Sequence, residues 1–434
     1  MSQQKKQWGA IIIMIALFAM IAFVTNLCTP MATIIKNQGS VSNVLAQIGN
    51  YGNFIAYLVM GVPAGMLLKK VGYKKTALIA LLVGIVGILI QWLSGKAESI
   101  NVAFGVYLAG AFIAGLCMCM LNTVVNPMLN ILGGGGNKGN QLIQIGGVFN
   151  STAAVAVYIL MGALIGDVTK AKIADATPAL MIALGIFVVA FIVILFSKIQ
   201  EPEQQTEVKA AVKDRYSAFS FRHFKLGILA IFLYMGIEVG VPNFIQQYLS
   251  TPVDAATPGL GMDAGTVGLI VAVYWLMMLI GRFVGGAIGG KVSSKAMITV
   301  VSTASIILVA FGMLAPETWT AQVPGIDWAN LTLIWAEVPV GIFAFLLVGL
   351  CTSVMWGGIF NMAVEGLGKY TSVASGAFMT MVFGCAVMMA IQAWVADMTH
   401  SYMTSYIVVI FCAAYVLFYA LVGSKNVNKD IPTE

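Results

Sequence analysis

The sequence predicts an all-α membrane protein of twelve transmembrane helices, arranged as two six-helix bundles related by a pseudo-two-fold axis along the membrane normal. Three observations predict it. Of the 434 residues, 60% are apolar and only 9% charged, with a mean hydropathy of +0.93, whereas a soluble domain carries about 25% charged residues. Apolar runs of about 20 residues, each long enough to cross ~30 Å of hydrocarbon, recur from end to end. The pattern of the first half returns in the second.

The spans follow in order. The first covers residues 8–36. Lys5 and Lys6 precede it, but it is too long for a cleaved leader and no small-residue cleavage pattern follows it. The next five cover 43–69, 74–95, 101–132, 139–167 and 178–197. The stretch 198–222 ("KIQEPEQQTEVKAAVKDRYSAFSFR") is the one long polar, charged segment. It reads as a linker between an N-terminal bundle (1–197) and a C-terminal bundle (223–434). Six further spans cover 223–250, 264–290, 295–315, 332–364, 370–398 and 401–422. Helices are expected throughout, because an open sheet edge would leave backbone groups unpaired in lipid.

The formal charge of +6 reads as topological, not as a nucleic-acid footprint. With both termini cytoplasmic, the inner loops hold about eighteen Lys and Arg, among them Lys69, Lys70, Lys74, Lys75, Lys209, Lys213, Arg215, Lys291 and Lys369; the positive-inside rule requires this bias. The outer loops hold Lys36, Lys96, Lys170 and Lys172, and Arg282 alone falls inside a span. A bacterial inner-membrane location follows. The loop 316–331 is expected outside, with Trp319 and Trp328 as interface anchors.

The repeat is explicit. "GVPAGMLLKKVGYKK" (61–75) aligns without a gap to "GRFVGGAIGGKVSSK" (281–295), pairing Gly61, Gly65 and Lys75 with Gly281, Gly285 and Lys295. "NLCTP" (26–30) aligns with "EVGVP" (238–242), so Asn26 and Glu238 occupy equivalent depths. Parallel six-span halves imply a carrier with its solute site between them. The glycine pairs, including Gly236 and Gly240, are read as close helix contacts.

Several polar residues interrupt the apolar spans. In "MCMLNTVVNPML" (118–129), Asn122 and Asn126 are four apart and share one helix face. Pro127 frees a carbonyl one turn earlier, near Thr123. The stripe suits hydrogen bonding to hydroxyls; the plainer reading is glue between helices. Asn150, Gln246, Gln247 and Asn361 fit the same neutral lining. Trp356 stands mid-span, where its ring could stack on a sugar or simply pack. Glu238 is the one acid near the middle of a span; a charge there costs about 2.5–3.5 kcal/mol, so such residues mark ion or proton paths. Arg282 is read as a gate or packing residue that snorkels or pairs with an acid such as Glu365. "GGGGNKG" (133–139) lacks the Lys-Ser/Thr and preceding strand of a phosphate loop. His223 and His400 sit at span ends, and the six cysteines read as apolar filler. No metal site, cofactor or nucleophilic triad is expected, and the chain is not read as an enzyme.

The segments "GIEVGVPNFIQQYL" (236–249), "IGRFVGGAIG" (280–289) and "IFNMAVEGLGKYTSVASG" (359–376), running to "WVAD" (394–397), resemble one family in combination, and "AYLVMGVPAG" (56–65), "NTVVNP" (122–127) and "FNS" (149–151) support them. The chain resembles the major facilitator superfamily, and within it the fucose–galactose–glucose proton symporters. That resemblance implies import of a neutral sugar or sugar-like solute by alternating access, with proton coupling, by a monomer. The family usually carries an acid just after the Asn-Leu pair of the first span, another at position 122, and often an amide at 147. This chain has Cys28–Thr29, Asn122 and Gly147 there. Glu238 is therefore the remaining candidate for proton coupling, with Asn26 and Thr29 as its expected partners. A facilitative carrier or exporter of another metabolite, and a sensor that binds solute without moving it, are the competing readings.

Overall fold

A computed structural model describes residues 8–39, 48–133, 136–165, 172–197, 216–288, 292–327, 332–367, 370–428 and 430–433. Six helices form the first bundle: α1 (Trp8–Gly39), α2 (Ile48–Val71), α3 (Tyr73–Ser94), α4 (Ile100–Leu132), α5 (Gly136–Ile165) and α6 (Thr177–Phe196). The second comprises α7 (Arg222–Ser250), α8 (Ala264–Ile288), α9 (Ser294–Leu314), α10 in two pieces (Val340–Thr352 and Met355–Val364), α11 in two pieces (Thr371–Thr380 and Gly384–Thr399) and α12 (Tyr402–Ser405, continuing over Ile407–Phe418). Ten of these segments are long and apolar enough to cross a bilayer, and α2 and α5 contribute the shorter apolar stretches Gly52–Leu68 and Ile145–Val157. The chain is a multi-pass membrane protein. The membrane face beside the 198–222 linker is called here the linker face.

Most predicted spans match these helices to within a few residues. The tenth does not. Residues 332–339 are a strand, β2 (Thr332–Pro339), paired antiparallel with β1 (Thr320–Asp327) in a register running from Thr320 opposite Pro339 to Asp327 opposite Thr332. The segment "TLIWAEVP" is apolar enough to extend a hydropathy window, yet its residues alternate and its partner strand satisfies its backbone groups. The hairpin stands on the opposite membrane face, which we call the hairpin face. There Gly325 packs against Thr266 in the first turn of α8, where any Cβ would collide. Trp319 is exposed beside it, and Trp328 lies outside the described residues.

Among the described residues two main seams join the bundles. The second helix of the first half, α2, crosses the fifth of the second, α11; conversely α8 crosses α5. This reciprocal pairing is the two-fold relation that the repeat implied. Glycine explains how close the crossings are. A Cβ at Gly61 would stand 2.5 Å from Thr380 Oγ1 and 3.2 Å from Thr380 Cα, and one at Gly147 would stand 3.2 Å from Arg282 Nη1. The other expected glycine contacts divide. Gly281 and Gly285 pack within the second bundle, against Ser353 and Val354 where α10 breaks, and Gly236 and Gly240 face Met388 and Gln392 of α11. Gly65, expected to be a contact, faces open space; its place one turn beyond Gly61 carries it past the crossing.

Candidate functional site

The polar residues of the first bundle gather on α4 and α2. Asn122 Nδ2 donates to Tyr57 Oη at 2.8 Å, and Asn126 Nδ2 donates to the Asn122 carbonyl at 3.1 Å. Thr123 Oγ1 donates to the Cys119 carbonyl, so the region around Pro127 carries a run of polar groups instead of a bare kink. Both asparagines stay half-buried, each with capacity left for a further hydrogen bond. Tyr57 lies one turn from Gly61 and so belongs to the α2–α11 seam. Asn150, on α5, donates from Nδ2 to the Phe18 carbonyl of α1 at 2.9 Å.

The second bundle supplies a charged and aromatic group. Glu238 sits in α7 with its side chain 14% exposed, and Arg282 of α8 sits beside it, 12% exposed, with Nη2 3.8 Å from Glu238 Oε1. Tyr234, one turn earlier on α7, hydrogen-bonds the Glu238 carboxylate, and its hydroxyl lies 3.2 Å from the Thr352 carbonyl. Tyr274 Oη donates to the Glu238 carbonyl at 3.0 Å and stands 3.2 Å from Thr352 Oγ1. The end of the first piece of α10 therefore presents a buried carbonyl and hydroxyl, with a tyrosine beside each. Trp356, half-buried on the second piece, meets Tyr234 at 6.3 Å between ring centroids and Phe378 edge-on at 5.4 Å.

Arg282 also crosses between bundles. Its Nη1 donates to the Gly147 carbonyl and to Ser151 Oγ at 2.8 Å, both on α5. The absence of a side chain at residue 147 is what lets the guanidinium lie against that backbone. One guanidinium thus serves a carboxylate in its own half and two neutral acceptors in the other. Because a buried charge is costly unless paired and hydrogen-bonded, this arrangement accounts for a cation inside a span.

Some expectations need correction. The partner of Arg282 is Glu238, not Glu365. Glu365 is exposed at the linker-face end of α10, where its carbonyl meets His223 Nε2 at 3.0 Å. Among the described residues the partners of Glu238 are Tyr234 and Arg282, and Asn26 is not one of them. Asn26 is buried and its Nδ2 donates to the Ala22 carbonyl of its own helix at 2.8 Å; the side chain of Thr29 lies outside the described residues. Gln246 is fully buried, two turns from Glu238 toward the hairpin face, and Gln247 donates to Asn243 at 2.8 Å. Asn361 is exposed, nearer the linker face than Trp356. Cys117, Cys119, Cys351, Cys385 and Cys412 are buried.

Sequence reasoning passed over Tyr57, Tyr234, Tyr274, Ser151 and Thr352. Tyr234 was within reach: it precedes Glu238 by four and shares its helix face. Tyr274 and Ser151 reach the group only through packing between helices, which no spacing in the chain encodes.

A family profile described as Major Facilitator Superfamily matches residues 11–390. The glucose/galactose transporter of Brucella abortus biovar 1 (strain 9-941) is 29% identical to this chain, the alignment covering 98% of this chain and 96% of that protein. The L-fucose-proton symporter of Escherichia coli (strain K12) is 21% identical, over 95% of this chain and 93% of that protein. The crystal structure of FucP in the outward conformation superposes with a TM-score of 0.69 at 19% identity, over 96% of this chain and 99% of that one.

Proposed function

The chain belongs to the Major Facilitator Superfamily, and from that premise we propose that it imports a neutral sugar or sugar-like solute across the bacterial inner membrane by alternating access, coupled to protons through Glu238. Its termini are cytoplasmic in this reading, residues 1–197 and 223–434 are the two moving bundles, and the monomer is the working unit. Relatives named as a glucose/galactose transporter and an L-fucose-proton symporter support a sugar as cargo.

One observation carries the neutral solute. The Arg282 charge is offset by Glu238, and the other residues assigned to the site in this proposal supply amides, hydroxyls and aromatic faces. Such a site has no surplus charge to attract an anion or a cation. It does have what a pyranose requires: amides on one bundle for hydroxyls, and an aromatic surface at Trp356 on the other for the apolar ring face. Asn122, Asn126 and Trp356 are the solute contacts of this proposal, with Asn26, Asn150, Gln246 and Asn361 lining the path above and below.

Counterflow in proteoliposomes tests it. Vesicles preloaded with unlabelled glucose, galactose or fucose should accumulate the labelled sugar transiently. A chain that binds one of these sugars yet gives no counterflow is a sensor, and one that binds none has another cargo.

A further inference from the structure

We propose that Arg282 is a positioning residue that ties the charge on Glu238 to closure of the α5–α8 seam. The inference rests on the transporter reading above, but it concerns how the bundles hold one another and does not depend on the identity of the solute. Arg282 uses separate nitrogens for two jobs: Nη2 faces Glu238, while Nη1 holds the Gly147 carbonyl and Ser151 Oγ across the seam. Both contacts to the first bundle are to uncharged oxygens. Among the described residues, the charge that keeps the guanidinium in this buried place is therefore the Glu238 carboxylate.

A proton that adds to the carboxylate changes the balance. The neutral acid no longer offsets the guanidinium, and a lone cation is left between helices. Arg282 then has a reason to swing toward water, for which its position between the middle of α8 and the linker-face end at Ile288 gives a short route. Its two donations to α5 break as it leaves, and the linker side of the seam loosens. When the proton departs to the side that has opened, the carboxylate recovers its charge and draws Arg282 back. No redox partner or further reactant is required. The ionisable groups that reach Glu238 are Tyr234 on its own helix and Tyr274 and Arg282 on α8; among the described residues no second acid shares the site. Glycine at 147 completes the device, since any side chain there would meet the guanidinium from 3.2 Å outward.

Distances between spin labels at Ile131 and Ile288, the exposed linker-face ends of α4 and α8, report the seam without any solute. In lipid nanodiscs the parent chain should show a short distance at high pH and lose part of that population as the pH falls. Glu238→Gln should show that reduced short-distance population at every pH. Gly147→Leu and the milder Gly147→Ala should shift the population the same way with Glu238 intact, and Glu238→Gln/Arg282→Ala should do no more than either change alone. The proposal is overturned if Glu238→Gln retains the short distance and its pH response, or if both Gly147 variants match the parent. A chain that transports no sugar but shows these shifts would refute the proposed cargo and leave the seam mechanism standing.

Discussion

One methyl group added at Gly61 should hold the two bundles apart. The Cβ of Gly61→Ala would lie 2.5 Å from Thr380 Oγ1, 3.3 Å from Thr380 Cβ and 3.2 Å from its Cα. The last two are backbone-anchored, and the hydroxyl is itself committed to the Gly376 carbonyl at 3.1 Å, so rotation of one side chain cannot clear the space. Overpacking of this kind costs about 1–3 kcal/mol. Here the strain is borne only when α2 and α11 meet, so it falls on the closed arrangement of the bundles. At about 1.4 kcal/mol per tenfold, the closed population should drop by roughly 5- to 150-fold relative to the open one. A cysteine at Ile143, one turn below Gly147 toward the linker face and half-buried, should then react with a soluble maleimide correspondingly faster. Thr380→Ala in the same chain removes the worst contact and should restore much of the protection. If Gly61→Ala labels at the parent rate, or the second change restores nothing, the α2–α11 crossing is not where the bundles bear on each other.

Three further outcomes are expected. Asn122→Ala or Trp356→Ala should weaken binding of the transported sugar by roughly ten- to a hundredfold, the loss of about 1–3 kcal/mol that follows an unpaired hydroxyl; isothermal titration with parent-like affinity for both would assign them to packing alone. Glu238→Gln should keep counterflow and lose accumulation driven by a pH gradient, and a variant that still concentrates sugar on that gradient removes Glu238 from proton coupling. An impermeant thiol reagent on intact cells should label a cysteine at Gln322, in the hairpin, and spare one at Gln204, in the linker; the reverse would invert the topology.

Hydropathy and charge placed nearly every helix, because a span must be apolar over its whole length and that leaves little freedom. It failed at 332–339 for a definite reason: a hairpin strand of Leu, Ile, Trp and Val adjoining a span looks like more of the span. The internal repeat located the seams less directly. It singled out Gly61, whose role is between bundles, but equally Gly281, whose role is inside one, since a glycine in a chain does not reveal which neighbour it admits. The site was legible as a set of residues and not as a set of pairs. Glu238 and Arg282 stood out because each is a charge within a span, yet 44 positions separate them, and nothing local connects them. The shortage of a side chain at 147 reads as a mere departure from a family pattern until the guanidinium is seen to occupy the space.

The two crossings lie on opposite sides of the pseudo-two-fold axis, and both touch through glycine. In the proposed alternating-access cycle the bundles rock about the line that joins these crossings, and each helix becomes a lever with its fulcrum near mid-membrane. The 24 residues of α2 give arms of about 18 Å at ~1.5 Å per residue, so a tilt of about 15° carries a helix end through roughly 5 Å. That is close to the width of one pyranose ring, obtained without bending a helix. Under the proposed function, cargo is then set by leverage as well as by chemistry: a monosaccharide would pass within the stroke, and a longer saccharide would need either a steeper tilt or a second pivot.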